Sequence, residues 1–342
     1  LTELRAALYE HLRADAVQTE DRRRAIESAL IPLDEVDVEL PVQVGAFVDF
    51  YSGIHHASNV GRMFRPDMPP LLPNYKWVPI AYNGRASSVV VSGTPIARPS
   101  GQRKAPDAEA PEFGPTRELD FELELGVITG AVTPMGTPIR LEDMDEIMFG
   151  VVLVNDWSAR DVQRWEYQPL GPFLAKTFAT SISPWAVPLD ALEPFRVAGM
   201  PQDPEPLAYL REEGLRAYDI ELEVFLQTAR ANRPQRISAT NAKELYWSFR
   251  QQLAHQASNG TPLMAGDLYA TGTISGPEKG TFGSLLELTW RGSEPITIEE
   301  TGEKRTFLED GDTIIMRGVA RNEELTIGLG EVSGTVLSEL NV

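Results

Sequence analysis

In Leu119-Asp120-Phe121-Glu122-Leu123-Glu124-Leu125 every second residue is an acid and the others are apolar. In a strand, where successive side chains point to opposite faces, that order puts Asp120, Glu122 and Glu124 together. Three like charges at this spacing repel unless water screens them or a cation lies between them. Alone, the segment reads better as a solvent-facing strand than as a hard-metal site.

Two further segments change that weighing. Asp156 directly follows the apolar run Val151-Val152-Leu153-Val154-Asn155, and the carboxyl end of a strand is a common place for function. Residues 157–167 then bring Trp157, Arg160, Gln163, Arg164, Trp165 and Tyr167 close together. Earlier in the chain, Asp49-Phe50-Tyr51-Ser52-Gly53-Ile54-His55-His56 places an acid, a phenol and two of the four histidines side by side. A lone pair of histidines would be read as ordinary hydrogen-bonded residues; the neighbouring acid raises the odds of acid–base chemistry. The other two, His11 and His255, lie in helical patterns and read as structural.

The elements that must carry these residues are mostly strands. β-type runs occur at 87–91, 119–128, 151–154, 220–226, 268–272, 285–290 and 313–316, separated by Gly and Pro. A helical turn is expected at 141–149. A longer helix is expected from Thr240, with Leu245, Phe249 and Leu253 on one face and Gly260 ending it. The Pro-rich stretches at 99–115 and 193–206 read as surface loops. Leu1, Leu4, Leu8 and Leu12 have helical spacing, Thr19 with Asp21 is placed to cap a second helix, and Pro32 stops it. One boundary is drawn, between a helical segment at 1–40 and a β-rich domain at 41–342. The chain opens on Leu rather than Met, so an N-terminal portion is expected to precede it.

Composition narrows the chemistry. The 342 residues, 42% of them hydrophobic, can bury a large core. With no cysteine, thiolate nucleophiles, disulfides and cysteine-zinc sites are excluded, so any metal must be held by oxygen or imidazole. A net charge of -19 repels nucleic-acid phosphate and anionic lipid, so neither is an expected partner. No apolar run approaches the roughly 20 residues that span a bilayer, and the expected location is the cytoplasm.

From about Val48 to Leu337 the chain resembles the fumarylacetoacetate hydrolase family. The resemblance is carried, in order, by DFYSGIHHASNVGRMFRP at Asp49, GRASSVVVSGTPI at Gly84, LDFELELG at Leu119, NDWSARDVQRWEYQPLGPFLAKTFATSISPW at Asn155, GDLYATGTISG at Gly266 and GSLLELTW at Gly283. It implies an α+β, β-rich fold, a mixed β-sheet roll or barrel, preceded here by a helical remnant of a small N-terminal domain. The implied activity is hydrolysis of the carbon–carbon bond of 4-fumarylacetoacetate to fumarate and acetoacetate, the last step of tyrosine and phenylalanine catabolism.

By the same resemblance Asp49, Glu122, Glu124 and Asp156 bind a divalent ion, Ca²⁺ or Mg²⁺, and Thr180 helps hold a second, smaller cation. His56 is the general base, held by Glu287. Arg160, Gln163 and Lys176 surround the carbonyl under attack, while Tyr51, Arg65, Gln163, Tyr167 and Thr273 position the diketo acid, with Tyr82 a further candidate. A homodimer is expected. The rival readings are another diketo-acid hydrolase, a decarboxylase or an isomerase of the same superfamily, and a non-catalytic calcium-binding module in which Arg160, Gln163 and Lys176 would be idle.

Overall fold

The computed structural model describes residues 2–13 and 19–339. They form two compact units, Leu1–Glu39 and Leu40–Val342. The first holds helices at Thr2–Leu12 and Glu20–Ala29. Thr19 caps the second of these, its hydroxyl accepting from the Arg22 N–H at 3.4 Å. Leu4, Leu8 and Leu12 are all exposed; Leu1, the first of that series, lies outside the described residues.

The second unit is α+β and β-rich, a mixed sheet curled into a half-barrel with helices. Among the described residues the main sheet runs Ala81–Asn83, Phe47–Phe50, Leu268–Ala270, Leu123–Thr129, Met148–Asp156, Thr180–Ile182, Val89–Val91. The 47–50/268–270 and 180–182/89–91 pairs are parallel, and the other neighbours along that path are antiparallel. A five-stranded sheet runs Gln235–Asn241, Glu221–Gln227, Thr313–Arg321, Thr326–Leu337, Ile96–Ala97.

Both faces of the main sheet are buried, which is why its central strands read as nearly unbroken apolar runs. Val151 and Leu153 join the core that includes Leu222, Val224, Met316 and Leu329. Val152 and Val154, one residue out of phase, pack with Phe47, Ile128 and Leu268 on the other side. With its apolar residues committed to two cores, this sheet holds its polar side chains at the strand ends, where the candidate site residues cluster.

Four local expectations are corrected. Residues 285–290 are not a strand: Leu285–Leu288 is a short helix capped by Ser284. The helix expected from Thr240 begins only at Phe249, after a capping box formed by Ser248 and Gln251, while Thr240 lies in the Gln235–Asn241 strand. The 99–115 stretch carries a hairpin, Ser100–Arg103 paired with Glu112–Pro115. Finally, the 119–128 run is interrupted at Phe121-Glu122, so Leu119–Asp120 and Leu123–Thr129 belong to different sheets.

Candidate active site

Parallel and antiparallel neighbours together bring strand ends from distant parts of the sequence to one end of the main sheet. Asp49 lies opposite Ala270 and Tyr82, Glu124 opposite Val154, and Thr180 opposite Asp156. Asp49, Glu122, Glu124 and Asp156 are all buried, and each offers one carboxylate oxygen within 4.8 Å of the others. Asp120 is not in that group. The break at Phe121-Glu122 turns it away, and its carboxylate binds Arg160 instead, with Nε to Oδ2 at 2.8 Å. The expectation that Asp120, Glu122 and Glu124 share one face is therefore corrected to Glu122 and Glu124 alone.

Electrostatics divides the four acids. Glu122 accepts from Lys176 Nζ and sits 2.7 Å from Arg160 Nη1. Burial works to raise its carboxyl, but the Arg160, Lys176 and His56 charges prevail and hold it well below the usual carboxylate range. Asp156 accepts from Lys176 Nζ at 2.7 Å, from Tyr82 Oη at 2.7 Å and from Thr180 Oγ1 at 3.1 Å. Asp49 and Glu124 are driven well above the usual range, by burial first and then by repulsion from the neighbouring carboxylates. Asp49 Oδ1 and Glu124 Oε1 are buried oxygens with no hydrogen-bond partner. An all-oxygen set with two orphaned acceptors and excess negative charge fits a hard divalent cation.

Gly272 explains how Glu124 is held. Its N–H donates to Glu124 Oε2 at 3.2 Å, its φ is +78°, and a Cβ there would lie 2.2 Å from the Phe50 carbonyl oxygen. Only glycine tolerates this approach.

Beside the cluster, His56 lies on the helix Ile54–Phe64. Its Nδ1 is 2.6 Å from Glu287 Oε2, and its Nε2 is 3.8 Å from Glu122 Oε1. In the neutral tautomer whose Nδ1 donates to Glu287, Nε2 is left as a proton acceptor. The Glu287 carboxylate also accepts from Asn59 Nδ2 at 2.9 Å, Ser275 Oγ at 2.9 Å and Ser284 Oγ at 2.8 Å. Burial alone would raise the Glu287 carboxyl, but the His56 charge and these bonds bring it below the usual range. His55 faces elsewhere, with Nε2 3.3 Å from Glu244.

A cavity of about 510 Å³ opens here, within the range of small-molecule sites. Asp49, Tyr51, His56, Arg65, Glu122, Arg160, Gln163, Tyr167, Lys176 and Thr273 all line it, with Tyr82 among them. Glu287 reaches it through His56. Arg160 gives Nη1 to Gln163 Oε1 at 3.1 Å and keeps Nη2 unpartnered, as are Arg65 Nε and Thr273 Oγ1. Unused donors in a largely buried cavity suit an anionic or carbonyl-bearing ligand. Lys176 keeps its proton despite burial, because Asp156 and Glu122 face it.

Several contributors escaped the sequence reading. Ser284 was within reach of it, because Ser284-Leu-Leu-Glu287 is the pattern of a helix N-terminus. Asn59, one helical turn beyond His55, and Ser275 carry no such signal. Glu166 accepts from the N–H groups of Phe173, Leu174 and Ala175, and so closes the loop that leads into the Leu174–Thr177 helix bearing Lys176.

A buried acidic cluster next to a carboxylate-held imidazole, with free donors around one cavity, marks an enzyme of metal-assisted acid–base chemistry. Residues 46–337 match the family described as fumarylacetoacetate hydrolase, C-terminal. The chain is 48% identical to the fumarylacetoacetase of Caenorhabditis elegans, covering 98% of this chain and 80% of that protein. It is 46% identical to the fumarylacetoacetase of Homo sapiens, covering 99% and 80%. Among solved structures it is similar in fold to the fumarylacetoacetate hydrolase of Exiguobacterium antarcticum, with a TM-score of 0.55, 18% identity and coverage of 92% and 83%. A similar likeness holds for a 5-carboxymethyl-2-hydroxymuconate delta-isomerase from Mycobacterium smegmatis, with a TM-score of 0.53, 18% identity and coverage of 91% and 86%. This chain belongs to the fumarylacetoacetate hydrolase family.

Proposed function

We propose that this protein hydrolyses the carbon–carbon bond of 4-fumarylacetoacetate, giving fumarate and acetoacetate. The observation that carries the reading is the His56 imidazole, anchored through Nδ1 on Glu287 and offering Nε2 3.8 Å from a carboxylate of the acidic cluster. Identity of 45–51% to fumarylacetoacetases over nearly the whole chain supports the substrate.

In this reading Arg65, Tyr51, Tyr167 and Thr273 hold the substrate, Arg65 taking a carboxylate through its planar fork. His56 Nε2 removes a proton from water as its oxygen attacks the carbonyl on the fumaroyl side. Glu287 stabilises the imidazolium that forms. Arg160, Gln163 and Lys176 donate to the oxygen that gains charge, where one such donor is worth roughly 3 kcal/mol. When the carbonyl re-forms, the carbon–carbon bond breaks, its electron pair leaves with the acetoacetyl carbon, and His56 returns the proton there. Asp49, Glu122, Glu124 and Asp156 would hold Ca²⁺ or Mg²⁺, which supplies Lewis-acid stabilisation of the enolate leaving group. Thr180 would assist a second, smaller cation.

The domain 41–342 is the catalytic unit in this proposal, and a homodimer in the cytoplasm its setting; the lack of cysteine fits a reducing compartment. A purely structural calcium module accounts less well for the unpartnered Arg65, Arg160 and Thr273 donors. Loss of the diketone ultraviolet absorbance on adding protein with Mg²⁺ or Ca²⁺ tests the reading, and a metal-loaded protein that leaves the absorbance unchanged rejects it.

A further inference from the structure

One buried acid beside the cavity has no part in the chemistry above. Asp120 is 0% exposed, and its carboxylate takes four hydrogen bonds. Oδ2 accepts from Arg160 Nε at 2.8 Å and from the Leu286 N–H at 3.0 Å, while Oδ1 accepts from the Leu285 N–H at 2.7 Å and the Phe121 N–H at 2.8 Å. Its partners stand on both sides of the reaction. Leu285 and Leu286 begin the short helix that carries Glu287, and so His56; Arg160 belongs to the opposite, carbonyl-binding side.

The geometry of arginine sharpens this. A guanidinium is planar and rigid, so fixing two of its nitrogens sets the direction of the third. Asp120 holds Nε, Glu122 and Gln163 hold Nη1, and the group left over is Nη2, which is buried and without a partner. Without Asp120, Nη1 alone would tether the side chain, and the plane would be free to turn about that contact.

We propose that Asp120 is a positioning residue: by gathering Arg160 Nε and the Leu285 and Leu286 N–H groups on one carboxylate, it fixes the free Nη2 relative to the Glu287–His56 pair. This rests on the hydrolysis proposed above, in which Nη2 donates to the carbonyl oxygen under attack. Asp120 touches no substrate and acts only through Arg160 and the 285–288 helix.

The test is a cycle of wild type, Asp120→Asn, Arg160→Lys and the double variant, assayed with fumarylacetoacetate and saturating Mg²⁺, with thermal unfolding of each. Lysine keeps the charge but not the planar fork. Each single change is expected to lower kcat by about 100-fold, the scale of a misplacement near 1 Å, with KM within about threefold. The double variant is expected to fall within about threefold of the weaker single one, because both changes remove the same alignment. Losses that multiply, or wild-type kcat in Asp120→Asn, overturn the proposal; partial unfolding would multiply too, so it cannot imitate the expected result. Should Asp120→Asn not fold, Asp120→Glu takes its place, keeping the charge while shifting the carboxylate: a kcat loss at constant KM that does not multiply with Arg160→Lys supports the role, and wild-type kcat overturns it. Inactive wild-type enzyme would reject the hydrolase reading first, before any variant is compared, and this inference with it.

Discussion

Two buried carboxylate environments beside the same cavity could hardly differ more. Glu287 has four partners, His56, Asn59, Ser275 and Ser284, and its carboxyl is held below the ordinary range. Asp49 and Glu124 each keep a buried oxygen with no partner, and burial and mutual repulsion push both above it. A buried acid is costly unless paired. Glu287 is balanced within the protein and so can serve as a fixed support. For Asp49 and Glu124 the Lys176 charge and, at Glu124, the Gly272 N–H offset burial and repulsion only in part, which leaves the imbalance that a cation site uses.

The strongest way to break this contrast is to remove the divalent ion. Chelation is expected to reduce activity at least about 1,000-fold, with recovery on adding Mg²⁺ or Ca²⁺, because the ion stabilises charge worth several kcal/mol. Glu124→Gln should abolish the rise in unfolding temperature that the ion gives wild type. In metal-free protein the same variant should unfold at a higher temperature than wild type, since it removes a repelled charge; a lower one would mean that Glu124 is already balanced.

Next in size is His56→Ala, expected to lower kcat about 1,000-fold in steady-state assays while leaving the ion's thermal stabilisation in place. Activity equal to wild type would reject the assigned base. A control lies outside the cavity at Glu212, whose carboxyl burial raises to about 6 against the pull of Ser248, Arg196 and Arg216. A raised folded value means that the native state holds the proton more tightly. Stability from this group is therefore full below about pH 4.5 and lost as pH rises through about 6. The loss is about 2 kcal/mol, from the shift between 4.5 and about 6, and denaturant unfolding of Glu212→Gln should not show it. Smallest is Ser284→Ala, which removes one donor to Glu287 and the cap of its helix. It should cost about 1 kcal/mol in denaturant unfolding, with metal binding unchanged in calorimetry.

Much of this was legible in the sequence, for reasons that can be named. Glu122 and Glu124 stand out because strand alternation is strict, and Asp156 because it ends an apolar run buried on both faces. Asp120 misled because the strand breaks one residue later, and the break is stabilised by side chains remote in sequence or not periodic: the Asn155 amide oxygen accepts the Glu122 N–H at 3.1 Å, and Asp120 itself accepts the Phe121 N–H. Periodicity carries no trace of such bonds. The 285–290 run failed differently. Four residues rich in leucine suit a buried strand or a buried helix equally, and the capping serine was the only arbiter. Partnerless oxygens and donors, the features that most sharply mark the cavity, exist only once the chain has closed around them.

That closure has a temporal side. His56 and Glu287 are separated by 231 positions along the chain, yet their side chains meet at 2.6 Å. The pairing of Ile96–Ala97 with the Thr326–Leu337 strand likewise joins segments far apart in the chain. Turnover therefore reports on the finished molecule: a ribosome that has delivered the histidine but not the glutamate has made no catalyst, however well its early strands have paired.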